Sequence, residues 1–122
     1  MTPTHDRRTT GALGEQVGEA YLKERGYEIL ERNVRSPFGE IDLVAREAGT
    51  LVFIEVKTRR SRLFGFPEEA VSARKRERLF RLASWYLSQR WRTKVPVRFD
   101  VLAVELFEDK PAVRLIQNAF EF

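Results

Sequence analysis

The sequence contains no cysteine, and its single histidine, His5, lies in a polar N-terminal stretch. Disulfide bonds and thiolate metal sites are therefore excluded, as are serine–histidine, cysteine–histidine and multi-histidine zinc chemistry. Any hydrolytic activity must instead rely on carboxylates, lysines and a bound metal ion.

Long apolar segments are also missing. No run approaches the roughly 20 residues that a helix needs to span a bilayer, and the first ten residues are polar. We therefore expect no membrane association, no secretory leader and a cytoplasmic protein. With 122 residues, 43% of them hydrophobic, the chain is long enough for one core. We predict a flexible tail over residues 1–10 and a single domain over 11–122.

Positive charge is concentrated in one part of the chain. Residues 59 to 98 include twelve lysines and arginines against three glutamates, a net charge of +9. The rest carries −5, since the whole sequence has 22 basic and 18 acidic side chains. Such a segment favours a polyanion such as nucleic acid as partner, although cationic helices are often only solvated faces.

Apolar periodicity and turn residues predict seven elements in the order α-β-β-β-α-β-β. We expect helices over residues 11–25 and 68–91, and strands over 27–35, 40–46, 51–58, 95–106 and 112–117. Turns are predicted at 36–39, 47–49 and 108–111, and a basic loop at 59–67. This order predicts an α/β domain with a mixed central sheet of about five strands and two main flanking helices.

Helical spacing predicts which faces of the two helices are buried. In the first helix, the residues at the spacing of one helical face are Leu13, Val17, Ala20 and Glu24. In the second helix the core stripe is predicted to be Ala73, Phe80, Ala83, Leu87 and Trp91. The remaining aromatic residues there, Trp85 and Tyr86, are expected in the core or, with Trp91, at a dimer surface.

Three charged residues interrupt strands that are otherwise apolar. Asp42 lies in the second predicted strand, and Glu55 and Lys57 lie in the third. Because side chains alternate along a strand, Glu55 and Lys57 point to one face, as do Glu40 and Asp42. If the two strands pair as a hairpin, two carboxylates and one ammonium group come together.

Such a group is suited to phosphodiester chemistry. Two carboxylates can hold Mg²⁺ or Mn²⁺, and the metal activates a water and stabilises charge on the phosphate oxygens. Lys57 would orient the water or neutralise charge, and would act as a base only if burial lowered its pKa. Glu15 would add a third carboxylate, and Glu40 a weaker, water-mediated contact. The alternative is that Glu55 and Lys57 form a solvent-exposed ion pair.

Three segments resemble motifs of the PD-(D/E)XK nuclease superfamily: Gly14-Glu15, Gly39-Glu40-Ile41-Asp42-Leu43-Val44 and Phe53-Ile54-Glu55-Val56-Lys57-Thr58-Arg59. From about residue 11 onward, the chain is similar to the YraN family of small bacterial proteins, which are grouped with archaeal Holliday-junction resolvases. That similarity includes Arg32-Asn33, Arg98-Phe99-Asp100-Val101 and Asn118-Ala119-Phe120.

The resemblance implies a restriction-endonuclease-like αβββαβ core and divalent-metal-dependent cleavage of DNA. By position, Asp42 and Glu55 match the metal-binding acids, Lys57 the lysine and Glu15 the glutamate of the first helix. Ile41 stands where the superfamily's name has proline. By analogy with the resolvases, branched or structured DNA is a candidate substrate and a homodimer a candidate assembly.

Several basic residues near this site are candidates for phosphate contacts, with a solvated surface as the alternative. They are Arg59, Arg60 and Arg62 after the third strand, and Arg74, Lys75, Arg78 and Arg81 on the second helix. Phe64 and Phe66 would either stack on a base or pack into the core. Asp100 is expected to be structural, with Arg98 or a neighbouring strand as its partner.

Three functions follow from these observations. The first is a metal-dependent endonuclease acting on DNA. The second is a nucleic-acid-binding module of repair or recombination that keeps the fold without turnover. The third is a protein-interaction domain in which the basic helix contacts an acidic partner.

Overall fold

The computed structural model describes residues 7–59, 73–90, 94–106 and 112–119. Its elements are α1 (Arg7–Glu24), β1 (Glu28–Ser36), β2 (Gly39–Glu47), β3 (Thr50–Arg59), α2 (Ala73–Arg90), β4 (Val97–Glu105) and β5 (Ala112–Ile116). The predicted order of helices and strands and the α/β class are confirmed.

Most element bounds lie within two residues of the predicted ones, but α1 begins earlier. It starts at Arg7, so residues 7–10 of the predicted tail are helical. Its end follows the prediction, because Gly26 adopts a φ of 89° and the Tyr27 amide donates to the Leu22 carbonyl at 3.0 Å. Residues 1–6, the predicted helical start at 68–72, the loop beyond Arg59 and the turn at 108–111 lie outside the described residues.

The five strands form one sheet in the order β1-β2-β3-β4-β5. The pairs β1–β2, β2–β3 and β4–β5 are antiparallel, whereas β3 and β4 are parallel. A parallel pair needs a long crossover, and α2 lies in it. The predicted mixed sheet of five strands is confirmed. In the part of the chain with described coordinates, neither helix is long and apolar enough to cross a bilayer.

The sheet separates two apolar cores, because successive residues of β3 point to opposite faces. Leu51 and Phe53 lie in the core that α2 covers, whereas Val52 and Ile54 lie in the core on the α1 side, with Leu22 of α1. The residues that α2 buries are Leu79, Leu82, Ala83 and Tyr86.

The buried face of α2 is the predicted one only in part: Ala83 is buried as predicted, whereas two other residues of the stripe are not. Phe80 is 51% exposed and Ala73 is exposed as well. The stripe is centred instead on Leu79, Leu82 and Tyr86, at the i, i+3, i+7 spacing of one helical face. The sequence pattern allowed both stripes, and packing against the sheet selected the second.

The aromatic residues near the end of α2 belong to the core. Tyr86 is buried and its ring packs edge-to-face on Phe53, with centroids 5.4 Å apart. Trp85 is partly buried against the same core, as is Leu87. Trp91 lies outside the described residues.

Asp100 has the structural role that was predicted for it. It is fully buried, and its carboxylate accepts hydrogen bonds from the Tyr27 hydroxyl, from Arg98 Nε and from the Asn118 amide, each at 2.9 Å. Arg98 also donates to Glu47 Oε1 at 3.1 Å. The network ties the start of β4 to β2 and to Tyr27, which immediately precedes β1.

Candidate functional site

The site lies where β2 and β3 separate. Their paired register runs up to Leu43 and Ile54. At the next position Asp42 Oδ2 accepts a hydrogen bond from the Val56 amide at 2.7 Å. A side-chain oxygen thus accepts the hydrogen bond that a strand carbonyl would ordinarily accept, and this fixes the Asp42 carboxylate beside β3.

The alternation of side chains along β2 shifts by one residue at this point. Ile41 packs in the core beneath α2, whereas Leu43, two residues later, packs in the core on the α1 side. Asn33, which lies opposite Asp42 on β1, has a φ of 51°. Strict alternation is therefore broken between Ile41 and Leu43, although the charges of Glu40 and Asp42, which were predicted to share a face, both act on Glu15. Strand irregularities of this kind re-aim side chains near functional sites.

Glu55 is held by two cations. Lys57 Nζ lies 3.1 Å and Lys75 Nζ 2.6 Å from its Oε1. Its other oxygen, Oε2, is buried and has no hydrogen-bond partner among the described residues. A buried carboxylate oxygen without a partner is costly, and a metal ion there would remove the cost.

Lys75, which was predicted to contact phosphate, lies at this site. Its side chain is only 15% exposed, whereas Arg74 and Arg78 are exposed. The sequence does contain a signal for this position. Lys75 precedes the buried Leu79 by four residues and so lies on the same helical face.

Burial raises the pKa of Asp42, and the charge of Glu55 adds to the shift, although the Val56 hydrogen bond opposes it. Negative charge is therefore concentrated in a place that solvates it poorly. Such a cluster favours a bound cation, because the cation offsets both the lost solvation and the mutual repulsion.

The pKa values of the two lysines shift in opposite directions. Burial lowers the pKa of Lys75. Burial also opposes the charged form of Lys57, but its hydrogen bond with Lys75 and the charge of Glu55 outweigh this and raise the pKa of Lys57. The raised pKa favours the charged form of Lys57, whereas the base role considered for it needs a lowered pKa.

Gly14 lets α1 lie directly on β3. A Cβ atom at this position would be 1.9 Å from Thr58 Oγ1 and 2.9 Å from Thr58 Cβ, so only glycine permits the contact. One turn later, a Cβ at Gly18 would be 2.5 Å from the end of the Leu102 side chain. This close packing brings the middle of α1, with Glu15, to the open end of the β2–β3 pair.

The face of α1 that packs on the sheet also differs from the predicted one. Leu13 is 42% exposed and Ala20 is exposed. The face that packs on the sheet includes Gly14 and Gly18 with the partly buried Val17. Glycine contributes no apolar side chain, so a search for apolar periodicity missed it.

Glu15 lies near the carboxylates of β2. Burial raises the pKa of Glu15, and the charges of Asp42 and Glu40 add to the shift. Glu40 is exposed and pairs with Arg35 at 3.4 Å. Among the residues with described side chains, no group of three or more acids or histidines is placed to hold a metal ion.

The structure therefore brings Asp42, Glu55 and Lys57 together with Lys75. Glu15 lies close enough for the charge of Asp42 to add to the effect of burial in raising its pKa. Two carboxylates fit a hard divalent cation such as Mg²⁺, which usually keeps several waters and takes only one or two protein carboxylates. The unpartnered oxygen of Glu55 is the observation that most favours such an ion.

Arg59, at the end of β3, extends the site. Strand alternation places it on the same face as Glu55 and Lys57. Its Nη2 is buried and makes no hydrogen bond within the described part of the chain, so it is a candidate donor to an anion. Four further residues that were considered for contacts with nucleic acid lie outside the described part of the chain: Arg60, Arg62, Phe64 and Phe66.

A basic cleft of about 200 Å³ lies between α2 and the β1–β2 turn. It is lined by Phe38, Arg74, Glu77, Arg78 and Arg81. The three arginines are exposed, as the stripe on α2 predicted, and Arg81 pairs with Glu77 at 2.9 Å.

The β1–β2 turn and Arg78 fit closely against each other. Gly39 has a φ of 125°, and a Cβ there would be 2.9 Å from Arg78 Nη1. Ser36 Oγ donates to the Gly39 carbonyl at 2.9 Å and accepts from the Phe38 amide at 3.0 Å. The turn is thus fixed beside the cleft, with Phe38 38% exposed.

Comparison with known proteins places the chain in a family. The model of the Uncharacterised protein family UPF0102 matches residues 14–104, which include every site residue described above. The chain belongs to this family. The resemblance to a small bacterial family, which was recognised from the β2 and β3 motifs, is confirmed.

Relatives in the family match nearly the whole chain. A UPF0102 protein of Symbiobacterium thermophilum is 53% identical over 114 residues, covering 93% of this chain and 97% of the relative. Others are from Moorella thermoacetica, 49% identical over 96% and 99% of the two chains, and from Syntrophotalea carbinolica, 43% identical over 97% and 96%.

A solved structure, described as the crystal structure of SSO0001, is similar to this chain with a TM-score of 0.42 and 20% identity. The match covers 98% of this chain and 55% of that one. The present chain thus spans about half the length of that protein, and a likeness of this size leaves function open.

Proposed function

We propose that this protein is a divalent-metal-dependent endonuclease that hydrolyses DNA phosphodiester bonds, with branched or structured DNA among its substrates. The observation that carries the proposal is the pairing of two carboxylates at the open end of β2 and β3. Asp42 is fixed there by the Val56 amide, and Glu55 Oε2 is buried without a partner. Asp42 and Glu55 would hold Mg²⁺ or Mn²⁺.

When bound, the metal would lower the pKa of a nearby water and stabilise the charge that develops on the phosphate oxygens. Asp42 supplies a carboxylate whose orientation does not depend on the metal, because its other oxygen is already bonded to β3. Glu15 adds negative charge at the edge of the site and would orient water there.

Lys57 supplies a fixed positive charge. Its side chain is 33% exposed, against 16% for Glu55, so it lies toward the mouth of the site. A protonated ammonium in this position would neutralise charge on the phosphate during hydrolysis. This role agrees with the raised pKa of Lys57.

The basic cleft supports nucleic acid as the substrate. Arg74, Arg78 and Arg81 lie on the helix that sends Lys75 into the site. Contacts of arginine to phosphates position a duplex or strand without reading its sequence. A backbone bound along α2 would therefore reach the carboxylates.

The second candidate is a nucleic-acid-binding module without turnover. It is favoured by one observation, that Glu55 Oε1 is already neutralised by Lys57 and Lys75. A site that has its own cations can be stable without metal, and the cleft would still bind phosphates. A protein-interaction domain is the third reading.

Cleavage of labelled linear, flapped and four-way DNA, with EDTA, Mg²⁺ or Mn²⁺, tests the proposal. We expect cutting only with metal, loss of cutting in Asp42→Asn, and full activity in the control Glu28→Gln. Glu28 is an exposed residue that pairs with Arg46 at 3.4 Å. Metal-independent cutting, or equal cutting by Asp42→Asn, would reject the catalytic assignment. Salt-sensitive DNA binding without cutting would favour the nucleic-acid-binding module. Absence of DNA binding would favour the protein-interaction domain.

A further inference from the structure

Two lysines from different elements hold the same oxygen of Glu55. Lys57 follows it on β3, whereas Lys75 enters from α2. The Lys75 contact is the shorter, at 2.6 Å against 3.1 Å, and its side chain is the more buried, at 15% exposure against 33%. The nuclease-like motif of β3 accounts for Lys57 but not for Lys75.

A divalent cation at Glu55 would have to compete with Lys75. Two like charges a few ångströms apart repel strongly where water is scarce. The repulsion would be relieved if an anion lay beside the Lys75 ammonium. A phosphate of the nucleic-acid backbone is such an anion.

We propose that Lys75 is the internal counter-ion of Glu55, and that it couples metal loading to the arrival of a nucleic-acid phosphate. This inference rests on the proposed function. Without substrate, Lys75 holds Glu55 Oε1 and keeps metal affinity low. When a phosphate engages Lys75, the carboxylate is released to the metal, so that metal and substrate bind together.

The arrangement of α2 supplies a route for this coupling. Arg78 lies one turn beyond Lys75 and lines the basic cleft, and residues three apart on a helix are neighbours. A backbone held by the arginine face would place a phosphate next to the Lys75 ammonium. Lys75 is in this account a positioning residue, which acts through Glu55 and the bound phosphate.

Calorimetric titration of the full chain with Mn²⁺ tests the coupling without relying on cleavage. We expect Lys75→Met to bind Mn²⁺ about tenfold more tightly than the wild type, within the usual range of coupling between sites. A hydrolysis-resistant phosphorothioate oligonucleotide should strengthen Mn²⁺ binding by the wild type but not by Lys75→Met. Lys75→Arg, which keeps the charge, should behave like the wild type.

Arg76→Met is the matched control, because it removes one positive charge from an exposed position next to Lys75 and should leave Mn²⁺ affinity unchanged. Equal or weaker Mn²⁺ binding by Lys75→Met would overturn this inference alone. Absence of Mn²⁺ binding in both wild type and Lys75→Met would overturn the metal site as well. If Lys75→Met does not fold, Lys75→Gln is tested by the same criteria.

Discussion

Gly14 of α1 lies directly against Thr58 of β3, so closely that a Cβ at residue 14 would come within 1.9 Å of the threonine hydroxyl oxygen. Thr58 follows Lys57, and Glu15 follows Gly14. The contact that packs the helix on the sheet therefore also sets the distance between Glu15 and the charged residues of β3.

Gly14→Ala should destabilise the protein and reduce its metal-dependent activity. In an unconstrained helix this change is favourable by about 1 kcal/mol. Overpacking against Thr58 should reverse the sign and cost about 1–3 kcal/mol, measured by urea denaturation. Gln16→Ala, at an exposed position of the same helix, serves as the control. A Gly14→Ala variant as stable as the wild type would show that α1 can move away without consequence.

Asp100→Ala should be among the most destabilising single changes in the chain. It would leave Arg98, the Tyr27 hydroxyl and the Asn118 amide without their shared acceptor. Breaking a buried charged pair in this way costs about 3–5 kcal/mol. Glu28→Ala, which removes an exposed ion pair, should cost no more than about 1 kcal/mol. Similar urea midpoints for the two variants would contradict the structural role of Asp100.

Asp42→Asn should make the metal-free protein more stable at neutral pH. The pKa of Asp42 in the folded protein lies above its ordinary value of 3.8, so the folded state binds the proton more tightly than the unfolded state. Asp42 therefore opposes folding once the pH exceeds that value, and the penalty disappears below it. We expect the difference in Tm between variant and wild type to shrink as the pH falls through the raised pKa of Asp42 towards 3.8, and to be lost below 3.8. A difference that grows on acidification would contradict the direction of the shift.

Arg78→Ala should weaken DNA binding equally for all sequences. Loss of one phosphate contact should reduce the slope of log Kd against log salt by about 0.9. Arg46→Ala, which removes a cation from the opposite end of β2, should leave the slope unchanged. An unaltered slope in Arg78→Ala would show that the basic cleft is not where the backbone binds.

The sequence was sufficient to predict the order of elements and the centre of the site. Alternating apolar residues defined the strands, and Asp42, Glu55 and Lys57 stood out because charges are expensive in central strands. The hairpin between β2 and β3 then required these residues to converge. The buried Asp100 could be predicted by the same reasoning.

Other features depended on contacts that no local pattern encodes. The shift at Asp42 coincides with the positive φ of Asn33, which lies opposite on β1. Lys75 reaches Glu55 because packing selected one of two possible apolar stripes on α2. Gly14 has no side chain through which periodicity could reveal its contact. The residues that surround the site were thus harder to predict than those at its centre.

Binding of Mn²⁺ by Asp42→Asn and Glu55→Gln, measured by calorimetry beside the wild type and Glu28→Gln, tests the shared metal site most directly. We expect the wild type and Glu28→Gln to bind one ion per chain, and both site variants to lose this binding while remaining folded. Retention of wild-type affinity and stoichiometry in either site variant would contradict a cation held between these two carboxylates.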